Sequence, residues 1–379
     1  MKFPTLDQLR ARKTRKWTVY GEDVLPLWIA ESDFPTAPPV KDALRDMIEA
    51  ETFGYTPAAS DLPEALADFY STRYGFQPDP AGVVAVPDVV RGLLLGIQYF
   101  TRPDSAVVVP VPAYPPFLEL PGTAGRERID VPTHPDGLDL DAIEDAFRKG
   151  AGSLLLCAPN NPFGFVPTAQ DLAALVELAV RYDARLLVDE IHAPLVYEGQ
   201  HVVAAGLSDA AADRCLTVTA VSKAFNIAGL KCAQMILTNE RDQQTYRSLT
   251  GVAKDGTGTL GMVASAVCYR QGIDHLDETV KYLAETRLSV ADRLEEAVPG
   301  LRATRPAATY LMWLDFTDSV LASEKSPAQW LRTHAKVALN DGAAFGPGGS
   351  GHARLNFATS PEVLDEAITR IASACRSLA

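Results

Sequence analysis

From about residue 83 the chain alternates short aliphatic runs with segments of helical period. The runs are V-V-A-V-P from 83, S-A-V-V-V-P-V-P from 105, S-L-L-L-C-A-P from 153, R-L-L-V-D-E from 185 and L-T-V-T-A from 216. Helical patterns at 89–100 and 168–182 stand between them. Nearly continuous aliphatic strands separated by helices predict an α/β fold, with a mostly parallel sheet covered on both faces. The expected large domain spans 45–275 and holds a sheet of seven-stranded type.

The two ends read differently. Residues 1–40 carry Pro4, Pro26, Pro35, Pro38 and Pro39 and little helical periodicity, which predicts an extended arm. Trp28 and Phe34 make a loose tail costly, so the arm should wrap another part of the molecule. Helices are expected at 39–51 and 61–74, the second opened by an Asp61/Glu64 capping pair. Between them F-G-Y-T-P places Tyr55 in a loop, as a packing or turn residue unless a site recruits it. A long helix at 274–297 leads into strand text at 309–316, the loop A-F-G-P-G-G-S-G-H at 344–352, a strand at 353–358 and a terminal helix. This is the expected smaller α+β domain, residues 276–379, with the arm 1–44 as its partner.

Composition narrows the function classes. The 379 residues carry 48 acidic against 35 basic side chains, a net charge of −13, which disfavours nucleic acid or an anionic membrane as partner. Five cysteines (157, 215, 232, 268 and 375), odd in number and without C-x-x-C spacing, suggest neither a disulfide framework nor a metal site. The first residues lack a signal-peptide core and no apolar run reaches spanning length, so a cytoplasmic location is expected.

Chemistry is concentrated where strands end, since in open α/β sheets ligands lie outside the carboxyl ends of the strands. T-V-T-A-V-S-K-A-F-N-I-A-G-L-K (217–231) puts Ser222 and Lys223 at one exit, and a partly desolvated lysine there can form an imine with an aldehyde. A second exit carries Asp189 and His192. Its carboxylate needs a cation, and a protonated ring nitrogen would serve. P-N-N-P-F-G offers Asn161, as a turn cap or as a group aimed into the crevice, and P-V-P-A-Y-P-P-F holds Tyr114 to stack on a flat ring or to fill core. P-D-V-V-R-G-L (87–93) runs a loop into a helix whose first N–H groups are unsatisfied, a cradle available to a phosphate. Ser222 and Lys231 could add a hydroxyl and a charge. Together these describe a pyridoxal 5′-phosphate site. Arg354, in a strand of the smaller domain, would serve either an internal salt bridge or a substrate carboxylate.

The motifs S-K-A-F-N-I-A-G-L-K, P-N-N-P-F-G, V-D-E-I-H-A-P-L-V-Y and A-R-L-N-F-A resemble the signatures of fold-type I pyridoxal-phosphate enzymes. Within that aminotransferase class I/II superfamily they are similar to the MalY/PatB branch of carbon–sulfur β-lyases, which includes cystathionine β-lyases. The likeness runs from K-W-T-V-Y-G-E-D-V-L-P-L-W-I-A-E-S-D-F to V-A-L-N-D-G-A-A-F-G. It implies that Lys223 binds the cofactor aldehyde, Asp189 the ring nitrogen and Arg354 the substrate carboxylate. Asn161 and His192 would stand near the phenolic oxygen, with Tyr114 over the ring and Val89, Val90 and Ser222 on the phosphate. Tyr55 would reach the site of the other subunit of a homodimer.

Three positions depart from the branch. C-A-P-N-N-P replaces C-N-P-H-N-P, Pro194 stands where the branch has an acid, and Lys231 stands where related aminotransferases often have arginine. The first two sit where they could tune substrate choice, and the third gives up a bidentate fork. The implied reaction is cleavage of cystathionine or another S-substituted cysteine to a thiol, pyruvate and ammonia. Transamination of amino acids is the alternative, and some members of the branch also bind a regulatory protein.

Overall fold

The computed structural model describes residues 2–57, 60–376 and 378. Its strands are β1 (Leu25–Pro26), β2 (Val83–Val86), β3 (Val107–Val111), β4 (Arg128–His134), β5 (Gly137–Leu138), β6 (Ser153–Cys157), β7 (Arg185–Asp189), β8 (Cys215–Thr219), β9 (Ala233–Ile236), β10 (Arg302–Ala303), β11 (Leu311–Asp315), β12 (Val337–Ala338), β13 (Asn340–Asp341) and β14 (His352–Asn356).

The main sheet runs β2-β9-β8-β7-β6-β3-β4-β5. Among its longer strands β9 alone runs against the rest, antiparallel to both β2 and β8, while the pairs from β8 to β4 are parallel. The seven expected strands are joined by the two-residue β5, which turns back on β4 at the edge. β3, β6, β7 and β8 are buried along their whole length, as a doubly covered sheet requires. The sheet separates two apolar cores, and alternate residues of a strand enter alternate cores. Val107, Val109, Leu155 and Leu187 pack with helix Val89–Phe100, whereas Val108, Leu154, Leu156 and Leu186 face the other side. Gly92 and Gly96 let that helix close on the sheet. A Cβ at Gly92 would stand 2.7 Å from Val218, and one at Gly96 3.3 Å from Leu187.

The smaller sheet is β10-β11-β14-β13, antiparallel throughout. The arm reaches this part of the chain through β1, which pairs in parallel with β12 in a separate two-stranded sheet. The arm is less extended than expected. Thr5 and Gln8 form a capping box that starts helix Leu6–Ala11, and helix Arg15–Thr18 follows. The expected capping pair at Asp61 does not form. Asp61 makes no side-chain cap to its own helix and instead ion-pairs with Arg270.

Candidate active site

Three consecutive parallel strands deliver the central groups to one place. β7 ends at Asp189, β6 runs through Cys157 into the Pro159–Gly164 turn with Asn161, and β8 leads into the turn that carries Ser222 and Lys223. Parity places the side chain of Asp189 on the same face as Leu187, toward helix Val89–Phe100, with Glu190 directed behind the sheet to the Tyr70 hydroxyl. A cavity of about 460 Å³ opens there, lined by Asp88, Val89, Val90, Tyr114, Asn161, Asp189, His192, Ser222, Lys223 and Lys231 among others. The expected site residues other than Arg354 and Tyr55 therefore meet on one wall.

The chain's first arm closes this cavity. Lys223 Nζ donates to the Ala30 carbonyl at 2.8 Å, and the Tyr310 hydroxyl donates to the same oxygen at 3.2 Å. Asn226, in the Lys223 turn, exchanges two hydrogen bonds with the Ser32 backbone, at 3.1 and 2.7 Å. Burial lowers the Lys223 amine to about 8, helped by the Arg354 charge and opposed by Asp189. The same burial raises Asp189 to about 7, against the pull of the Ile191 N–H and of Lys223. Asp189 forms no ion pair among the described residues. A buried carboxylate left without a cation is what a protonated ring nitrogen would complete.

His192 is buried beside it. Desolvation first, then the Lys223 and Arg354 charges, lower it to about 3, so its ring is neutral, and its Nδ1 has no partner among the described residues. Burial raises the Tyr114 hydroxyl, with Arg354 acting the other way. The N–H groups of Val89 and Val90 precede the first backbone bond of their helix, from Gly92 to Asp88. Asp88 caps that helix through Arg91 N–H at 2.8 Å and also ion-pairs with Lys231. Lys231 thus reaches the phosphate end of the cavity already bound to an acid, which its sequence position did not suggest.

Arg354 stands behind Asn161, to whose Oδ1 it donates at 3.0 Å, while its second nitrogen reaches the Trp28 carbonyl at 3.3 Å. Its guanidinium lies 5.0 Å from the centre of the Phe345 ring. It is 2% exposed, its Nε is unpartnered, and it forms no ion pair among the described residues. The internal salt bridge open to it on sequence grounds is therefore not made, and a substrate carboxylate is the partner its burial calls for. Tyr55 is the exception to the gathering. It is fully exposed in the single chain and does not line the cavity.

Two groups here had no signal in the sequence. Ala30 acts through its carbonyl, and Arg15 enters the cavity wall from the short helix at 15–18. The lysine without a strong charge partner, the uncompensated carboxylate, the neutral histidine and the free helix N–H groups together fit pyridoxal phosphate. That group brings the aldehyde, the ring cation and the phosphate that these residues leave unanswered.

Comparison with known proteins agrees. The profile of the family "Aminotransferase class I and II" matches residues 22–371. A cystathionine β-lyase of Corynebacterium glutamicum is 52% identical over 98% of this chain and 100% of its own. A solved Corynebacterium diphtheriae structure has TM-score 0.97 and 51% identity, covering 99% of both chains. The pyridoxal-phosphate-bound C–S lyase of Staphylococcus hominis has TM-score 0.90 at 26% identity, also over 99% of each chain. With the fold, the cavity and the family profile all in register along almost the whole chain, it belongs to the class I and II aminotransferase family.

Proposed function

We propose that this protein is a pyridoxal-phosphate-dependent carbon–sulfur β-lyase that cleaves cystathionine or a similar S-substituted cysteine to a thiol, pyruvate and ammonia. The observation that carries amino-acid chemistry is Arg354, buried without an acid beside Asn161, within electrostatic reach of Lys223. What favours elimination over transamination is the full-length similarity to the C. glutamicum cystathionine β-lyase.

When bound, the cofactor supplies an aldehyde for the amino group and a ring that accepts the electrons released at Cα. The protein does the rest. Arg354 orients the α-carboxylate as a fork and Asn161 fixes the fork. Lys223, with an amine near 8, takes the Cα proton at neutral pH more readily than an ordinary lysine would. Asp189 keeps the ring nitrogen charged, and Tyr114 covers one wall. The Cα–H bond breaks with its proton passing to Lys223 Nζ, and the Cβ–S bond breaks with its electron pair leaving on sulfur. Water then yields pyruvate and ammonia, and cystathionine gives homocysteine as the thiol.

We further infer a homodimer in which Tyr55 serves the neighbouring subunit's site. Its full exposure supports this, as do Phe53 and Val252, both left largely exposed. The reading also includes a large domain at 45–275 and a smaller unit of 1–44 with 276–379, supported by the β1–β12 pairing. Helices Pro38–Glu49 and Ile273–Ala297 run across those two limits. Five buried free cysteines support a reducing, cytoplasmic setting. No described helix is long and apolar enough to cross a membrane.

The test is product analysis with cystathionine and no added keto acid. Pyruvate and homocysteine in equal amounts are expected, whereas product that depends on a keto acid would favour the aminotransferase.

A further inference from the structure

The cavity that holds Lys223 also has on its wall a cation that this chemistry leaves unused. Arg15 lines it, yet it forms no hydrogen bond or ion pair through its side chain among the described residues. The other cations nearby are engaged: Lys231 with Asp88, Lys223 with the Ala30 carbonyl, and Arg354 with Asn161 and the Trp28 carbonyl. In a chain with 48 acidic and 35 basic side chains, an arginine without an acid at a ligand cavity calls for an account.

Its base is held firmly. Lys16, the next residue, is buried and pairs with Asp33 at 2.7 Å, and Trp17 Nε1 donates to the same carboxylate at 2.8 Å. The Trp28 indole donates toward the Lys16 carbonyl at 3.4 Å. The Arg15 guanidinium lies 5.9 Å from the centre of the Trp28 ring, and the carbonyl of that same Trp28 accepts from Arg354. One residue thus bears two guanidinium groups, one inside behind Asn161 and one toward solvent on the cavity wall. A ligand held at Lys223 occupies the cavity that Arg15 helps to wall, so a carboxylate at the far end of its sulfur substituent has an unengaged cation within that cavity to meet.

We propose that Arg15 is a specificity-determining residue that binds a second carboxylate at the far end of the sulfur substituent. The site would then take dicarboxylic thioethers of cysteine in preference to S-alkyl cysteines with neutral ends. This rests on the β-lyase reading for its reaction but not for its binding. The Arg15 guanidinium already rests over the Trp28 ring, 5.9 Å from its centre, so less side-chain freedom is lost when the carboxylate arrives.

The test uses the holoenzyme with Arg15→Gln and Arg15→Lys, and two substrates, cystathionine and S-ethylcysteine. Arg15→Gln should lower kcat/KM for cystathionine about tenfold, chiefly through KM, and change that for S-ethylcysteine less than about twofold. Arg15→Lys should regain part of the loss. A purely structural role for Arg15 would lower both substrates together, and that result, or no loss for either, overturns the proposal. Calorimetric titration with the all-carbon analogue of cystathionine, which has no sulfur to lose, and with alanine supplies a readout independent of turnover. Weakened binding of the analogue alone supports Arg15, and equal effects on both ligands overturn it. If the wild type cleaves neither substrate while the binding difference persists, the lyase reading falls and the carboxylate site stands.

Discussion

At the scale of single residues, burial does most of the tuning. It lowers Lys223, raises Asp189 and leaves Arg354 as a cation in want of an acid. Lys223→Ala should abolish turnover, and borohydride reduction of the yellow holoenzyme followed by peptide mapping should mark Lys223. Label on another lysine would remove the assignment. Arg354→Gln should cost roughly 10- to 100-fold in kcat/KM, the worth of a charged hydrogen-bonded clamp, measured by steady-state kinetics. The raised Asp189 has a pH signature in protein freed of cofactor. Because its folded value near 7 lies above its unfolded value, the stability it contributes is present at low pH and is lost as pH rises through about 7. Asp189→Asn should therefore exceed the wild type in thermal unfolding by a margin that grows from about pH 4 and is largest by about pH 8. Equal melting temperatures at pH 8 would show that the carboxylate is not held at a cost.

At the scale of elements, the proposed site depends on how tightly helix Val89–Phe100 seats on the sheet, since its first turn would offer N–H groups to the phosphate. Gly92→Ala would set a methyl 2.7 Å from Val218 and should lower stability by about 1–3 kcal/mol, read as a lower denaturation midpoint. The strands that carry the chemistry were readable in the sequence because they are buried on both faces and spell continuous aliphatic runs. β4 was not, because it lies toward the sheet edge, where Arg128, Pro132 and His134 are exposed and break the pattern. The helices of the arm are too short for periodicity to show, although Thr5 and Gln8 carried a capping signal. The misjudged cap at Asp61 has a long-range cause. Arg270, 209 positions away, takes the carboxylate that local spacing assigned to the helix end. Arg354 was ambiguous for the same reason, since sequence cannot show whether an acid will reach a buried guanidinium. Arg15 had no signal, because a free tip next to the buried Lys16 is a fact of folding alone.

At the scale of the whole molecule, the N-terminal arm closes the site its own chain builds, through Ala30 and Ser32, while Tyr55 is exposed and does not line it. If Tyr55 completes a neighbour's site, Lys223→Ala and Tyr55→Ala chains should each be impaired, and co-refolding them should restore activity in hybrid dimers. Confirmed subunit exchange without recovery would place Tyr55 outside catalysis. The most direct measurement of the central claim is the fate of cystathionine on the purified holoenzyme without any keto acid. The account predicts homocysteine and pyruvate released one for one, with no conversion of the cofactor to its amine form. Product formation that waits for an added keto acid would contradict it.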